Sequence, residues 1–170
     1  MPGYELIGCD ERDAVLDIFD SSNGVLFAHG FDNLRNGRFR VREFEKKFAE
    51  KMNAKYSLAV SSGSAALKIA LSALNVGLGD EVIMPSFTFI ASAEAVVEVG
   101  ATPVIADINR TFNLDPADVI SKITPRTKAV IAVHMMGCAA DILELRKIAD
   151  DYSLKLIEDV AQCCGGKIGD

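Results

Sequence analysis

Four short apolar runs, EVIMP (81–85), TPVIA (102–106), KAVIAVH (128–134) and LKLIED (154–159), alternate with stretches of helical periodicity. That rhythm narrows what the chain can fold into more than any other feature. A half-exposed sheet alternates apolar and polar residues, whereas strands buried on both faces read as continuous hydrophobic runs. The pattern therefore predicts an α/β fold, a three-layer αβα arrangement around a largely parallel sheet. A further run, YSLAV (56–60), reads as the first strand, and helices are expected over 64–75, about 89–98, from Pro116, and 141–152. The punctuation agrees: Gly77 and Gly79-Asp80 precede a strand, Gly100 follows a helix, and Asp115-Pro116 reads as an N-cap followed by proline at the first helical position.

Ahead of this domain, helices are expected over 10–20 and in RVREFEKKFAEKMNA, where Val41, Phe44, Phe48 and Met52 recur at helical spacing. Between them lies SSNGVLFAHGFDNLRNGRFR (21–40), rich in Gly, Asn and Arg and fitting neither period. Long irregular segments of this kind are more often functional than neutral. The reading divides the chain into residues 1–40, a helix with an irregular segment, and residues 41–170, the α/β domain.

The 170 residues, 49% hydrophobic, hold enough apolar material for one ordinary core. A formal charge of -6 argues against non-specific attraction to nucleic acid or an anionic membrane. The N-terminal MPGYELIGCDERDAV lacks the charged and apolar regions of a secretory signal, and no apolar run approaches a membrane span, so a cytoplasmic protein is expected. Cys9, Cys138, Cys163 and Cys164 show no Cys-x-x-Cys spacing and are expected to be reduced, mostly buried thiols. His134 and Cys138 lack the further ligands a zinc site needs, so no metal is expected.

In open α/β sheets ligands bind beyond the carboxyl ends of the strands. Four stretches share that address: Ser61 to Ser64, Pro85 to Phe89, His134 to Gly137, and Asp159 to Gln162. In VSSGSAALKIAL, Gly63 permits close backbone approach, and the free N–H groups of a helix start suit a phosphate, with Ser62 or Ser64 adding a hydroxyl. Serine is equally a favoured N-cap, and the stretch alone fits both readings. Neither Gly-x-Gly-x-x-Gly nor Gly-x-x-x-x-Gly-Lys-Ser/Thr is present. Asp159 ends a hydrophobic strand and needs a cationic or hydrogen-bonding partner: a protonated ring nitrogen would serve, as would the cap of a following helix. Phe87 and Phe89 either stack on a planar ligand or join the core, and His134 is a proton carrier or a satisfied structural histidine.

The order and spacing of SSGSAAL, GDEVIMPSFTFIASAEAVVEVGATPVIADI, TKAVIAVHMMG and LIEDVAQCCGG closely resemble the large domain of the DegT-type sugar aminotransferases, fold-type-I pyridoxal-phosphate enzymes, over about residues 40–169. The resemblance implies pyridoxal 5'-phosphate as cofactor, with Gly63 and Ser64 at its phosphate, Phe89 stacked on its ring, Asp159 on the ring nitrogen and Gln162 in contact with it. His134 matches the family's histidine-x-x-glycine position and is the one catalytic candidate within the chain. The Schiff-base lysine of the family falls beyond Asp170, so the catalytic residue is unknown. Lys167 lies too close to Asp159 in sequence to match it, and the chain is expected to be the front part of a longer enzyme, inactive alone.

MPGYEL with FDNLRNGRFRVREFE further resembles the subgroup that aminates C8 of an eight-carbon keto sugar acid, the 8-amino-3,8-dideoxy-manno-octulosonate aminotransferases. Arg35 and Arg38, with Arg40 and Arg42, would then recognise a substrate carboxylate or phosphate, or else form a solvated strip or subunit contact. The family implies amino transfer, with glutamate as the expected donor, to a keto sugar or nucleotide-linked keto sugar in a homodimer. A dehydratase of the same family, with histidine in place of the lysine, is the alternative. A nicotinamide-dependent reductase is disfavoured by the missing glycine turn, and a non-catalytic binding domain is the remaining class.

Overall fold

The computed structural model describes residues 4–21, 23–26, 30 and 32–169. They form two compact units, Met1–Ala59 and Val60–Asp170, each described by itself. The division falls later than the boundary at residue 40 read from the sequence, because the second helix is tied into the first unit.

In the first unit, a 3-10 turn at Tyr4–Leu6 precedes helix α1, Cys9–Ser21. Helix α2, Arg40–Lys51, follows the irregular segment. Asp17 of α1 binds Arg38 at 3.3 Å and also pairs with Arg40, whose hydrogen bond is the main reason the Asp17 carboxyl is held below its usual range. The loop between the helices is pinned by side-chain amides: Asn23 donates to the Leu34 carbonyl and Asn36 to that of Ser21, each at 3.2 Å.

The second unit is the αβα domain. Strands β1 (Glu81–Pro85), β2 (Thr102–Ala106), β3 (Thr127–Val133) and β4 (Lys155–Asp159) form one parallel sheet in the order β2-β1-β3-β4. Helices α3 (Gly63–Ala73), α4 (Ala91–Glu98), α5 (Pro116–Lys122) and α6 (Ile142–Asp151) cover its faces. Alternate side chains go to opposite faces, as the pleat requires. Val82, Met84, Ala129 and Ile131 pack with Leu67 and Leu71 of α3 and Val96 of α4, while Ile83, Val130 and Ala132 pack with Val119 of α5 and Leu145 and Ile148 of α6. Layers on both faces explain why the strands read as unbroken apolar runs.

Two expectations are corrected. YSLAV is not a strand: no strand among the described residues pairs with it, and Tyr56 and Leu58 are exposed. An apolar run becomes a strand only when a neighbour takes its N–H and C=O groups. The cysteines are unpaired but not mostly buried, since Cys9, Cys138 and Cys164 are exposed and Cys163 half-buried. They sit at a helix start and in loops rather than on the faces that enter the core. Among the described residues, no helix is long and apolar enough to cross a membrane and no His, Cys, Asp and Glu cluster is placed to hold a metal ion.

Candidate functional site

The strand order reverses between β1 and β3: the chain leaves β1 toward β2 and then crosses back to β3. In such sheets the usual ligand position is where the loops diverge from the carboxyl ends of those two strands. Helix α3 feeds straight into β1, so it runs antiparallel to the strands and its first turn lies at this edge. The four stretches singled out in the sequence therefore belong to one edge of the sheet.

At the first turn of α3, the Ser62 hydroxyl oxygen accepts the Ala65 N–H at 3.1 Å, a true N-cap. Ser62 is thus committed to the helix. The N–H groups of Gly63 and Ser64, at the first two helical positions, are orphans of the kind every helix start leaves. A Cβ built on Gly63 meets no atom within 4 Å, so neither packing nor a left-handed turn demands glycine there. The cap and the orphan N–H groups sit on adjacent residues.

After β1, Thr88 and Ser92 share a 2.9 Å hydrogen bond that fixes the loop into α4. Phe87 packs on Phe112, with ring centroids 5.7 Å apart, whereas Phe89 is 72% exposed. The motif's two aromatics have separated: Phe87, 40% exposed, rests on Phe112 at the surface, and Phe89 offers its ring outward.

After β4, Asp159 Oδ1 accepts the Ala161 N–H at 3.0 Å, closing a turn rather than capping a helix, and no partner of Oδ2 is found among the described residues. Gln162 Oε1 accepts the Met136 N–H at 2.7 Å, and its amide NH2 has no partner among the described residues. His134 is buried and fully engaged. Its Nδ1 accepts the Ala140 N–H at 3.0 Å, which places the ring proton on Nε2, and Nε2 donates to Glu158 Oε2 at 3.2 Å. Its backbone N–H donates to the Asp159 carbonyl at 3.1 Å, so the histidine holds the ends of β3 and β4 together.

Asn113 stands among these loops without having been a candidate in the sequence. It is fully buried, its Oδ1 accepts the Met135 N–H at 2.9 Å, and its amide donates to the Cys138 and Ala139 carbonyls at 3.2 and 3.3 Å. Asn113 and Gln162 together hold Met136 in the left-handed region, φ 54°, where a non-glycine residue is uncommon. A single Asn in RTFNLDP gave no signal, because apart from the Thr111 hydroxyl its side-chain partners lie in a loop more than twenty residues away. The Arg strip also resolves into separate roles: Arg38 and Arg40 are paired with Asp17, whereas Arg35 is buried.

Residues 27–170 match the DegT/DnrJ/EryC1/StrS aminotransferase family. The chain belongs to that family. It is 44% identical over 159 residues to a GDP-perosamine synthase of Caulobacter vibrioides, covering 92% of this chain and 40% of the relative. It is 46% identical over 137 residues to a UDP-2-acetamido-2-deoxy-3-oxo-D-glucuronate aminotransferase of Pseudomonas aeruginosa, covering 78% of this chain and 38% of the relative. NtdA of Bacillus subtilis, solved with the bound cofactor PMP, superposes with a TM-score of 0.79 at 38% identity, over 95% of this chain and 36% of that one. The chain thus spans about 40% of the length of the curated relatives it matches.

Aminotransferases of the DegT/DnrJ/EryC1/StrS family use pyridoxal phosphate. The donor set at the sheet edge suits that cofactor: orphan N–H groups with open space at Gly63, an outward aromatic at Phe89, a carboxylate oxygen at Asp159 and a free amide at Gln162.

Proposed function

We propose that this chain is the cofactor-binding portion of an enzyme that transfers an amino group to a keto sugar. The reading is carried by one observation: the match to the aminotransferase family runs through residues 27–170, the whole of the unit whose sheet edge bears these groups. Bound pyridoxal phosphate supplies an electron sink for the amino-bearing carbon. The chain's own residues bind and orient it. Gly63 and Ser64 N–H groups, with the Ser64 hydroxyl, hold the phosphate at the positive end of α3. Phe89 covers one ring face, the Asp159 carboxylate keeps a proton on the ring nitrogen, and Gln162 donates its amide hydrogens. His134 positions Asp159 through the strand ends it joins.

At the finer level, glutamate is the proposed donor and the acceptor is a keto sugar or nucleotide-linked keto sugar, including C8 of 3-deoxy-manno-octulosonate. The 3-oxo-glucuronate named for the Pseudomonas aeruginosa relative supports an acidic keto sugar. A cytoplasmic homodimer is proposed from the same family likeness.

The test is the half-reaction of the full-length protein with glutamate, followed by the cofactor's absorbance. Asp159→Ala should slow it by about a hundredfold or more, the scale of removing one preorganised electrostatic partner, with the melting temperature retained. Unchanged turnover would remove Asp159 from the site.

A further inference from the structure

The first unit encloses a cavity of about 480 Å3, within the size range of small-molecule sites. Its walls are apolar where Ile18, Leu26, Val41 and Leu58 line it, yet Arg35 lies against it with only 7% of its surface exposed. Arg35 Nε and Nη2 are buried and have no hydrogen-bond partner among the described residues. These two nitrogens form one edge of the guanidinium, whose parallel N–H bonds match the two oxygens of a carboxylate or phosphoryl group.

The neighbouring charges are otherwise engaged. Arg38 and Arg40 are paired with Asp17, and Glu45 accepts the Ala59 N–H at 2.8 Å. Arg42 lies over the Phe39 ring at 4.2 Å and Arg35 over the same ring at 5.2 Å, so the ring bears on two cations without offering either a hydrogen-bond acceptor. A buried guanidinium with an unpartnered donor edge is costly unless an anion completes it.

We propose that Arg35 anchors an oxyanion-binding pocket in the first unit, which takes the carboxylate or phosphoryl group of a small polar ligand. The binding claim stands on this geometry. Assigning the ligand as amino acceptor or donor rests on the function proposed above.

The experiment is calorimetric titration of the full-length protein with L-glutamate, D-glucuronate and UDP, repeated on Arg35→Met and Arg35→Lys. Saturable binding of one probe is expected, weakened about tenfold or more in Arg35→Met, as for loss of a charge-assisted pair. Arg35→Lys should weaken it too, since it keeps the charge and loses the fork. Glutamate would mark a donor site, glucuronate a sugar-acid site and UDP a nucleotide site. Because a methionine variant could misfold, the Arg35 Nε–H resonance of the wild-type protein provides a second readout and should move with the same probe. No binding by any probe, or equal affinity in a folded Arg35 variant, or an unmoved resonance overturns the pocket. The same titration on Asp159→Ala separates the two claims, because loss of transamination there should leave this binding intact.

Discussion

Gln162 accepts the Met136 N–H at 2.7 Å, joining the loop after β4 to the loop after β3 where Met136 is held at φ 54°. A side chain proposed to face the cofactor thereby also fixes the backbone of the neighbouring loop. The buried Asn113 completes the arrangement from the loop after β2. Three loops at one sheet edge are locked by two carboxamides, which is how a site made of loops acquires the rigidity that binding needs.

Removal of Asn113 should therefore loosen the edge more than its size suggests. Asn113→Ala leaves the Met135 N–H and two carbonyls without their partner, at about 1–3 kcal/mol for a buried group so stranded. Urea unfolding is expected to show a loss in that range, accompanied by weaker pyridoxal-phosphate binding in the full-length protein. A stability unchanged within about 0.5 kcal/mol, the scatter of ordinary surface substitutions, would show that the clamp is not needed.

At the start of α3, stability and binding should separate. Gly63→Ala places a methyl in open space and favours the helix, so the melting temperature should hold or rise while affinity for pyridoxal phosphate falls. Ser62→Ala should do the opposite, costing about 0.5–2 kcal/mol as a lost N-cap with a smaller effect on the cofactor. Thermal melts and absorbance titration on each variant measure both quantities. A Gly63→Ala protein with full affinity would refute close phosphate approach.

Acid should weaken the fold in a defined direction. The Thr124 hydroxyl, and then Arg126, hold the Glu81 carboxyl below its ordinary pKa, and the Asp107 N–H and then Ser121 do the same for Asp118. A carboxylate with a lowered folded pKa adds stability that is complete above its unfolded value, about 4, and is lost as pH falls through the folded one. The urea midpoint should be flat from about pH 7 to 5 and drop below about pH 4. Glu81→Gln should lower the plateau and shrink the drop; an unaltered profile would mean that the Thr124 and Arg126 contacts do not act on Glu81 in solution.

The sequence by itself determined the four strands of the sheet and the helices between them, because continuous apolar runs, caps and turn residues act within a few positions of one another, and it carried the family through the order of its motifs. Asp115-Pro116 starts α5 and Ser62 caps α3 by local hydrogen bonds that neighbouring residues dictate. It misjudged YSLAV, since a strand exists only with a neighbour, and the burial of the cysteines, since their types say nothing of which face a loop turns inward. Tertiary structure alone decided that Phe87 rests on Phe112 while Phe89 turns outward, that His134 is engaged at both nitrogens, that Asn113 clamps a distant loop, and that Arg35 and not Arg38 has a donor edge without a partner among the described residues. Each depends on partners far along the chain, and the identity of a polar side chain does not reveal which distant group will satisfy it.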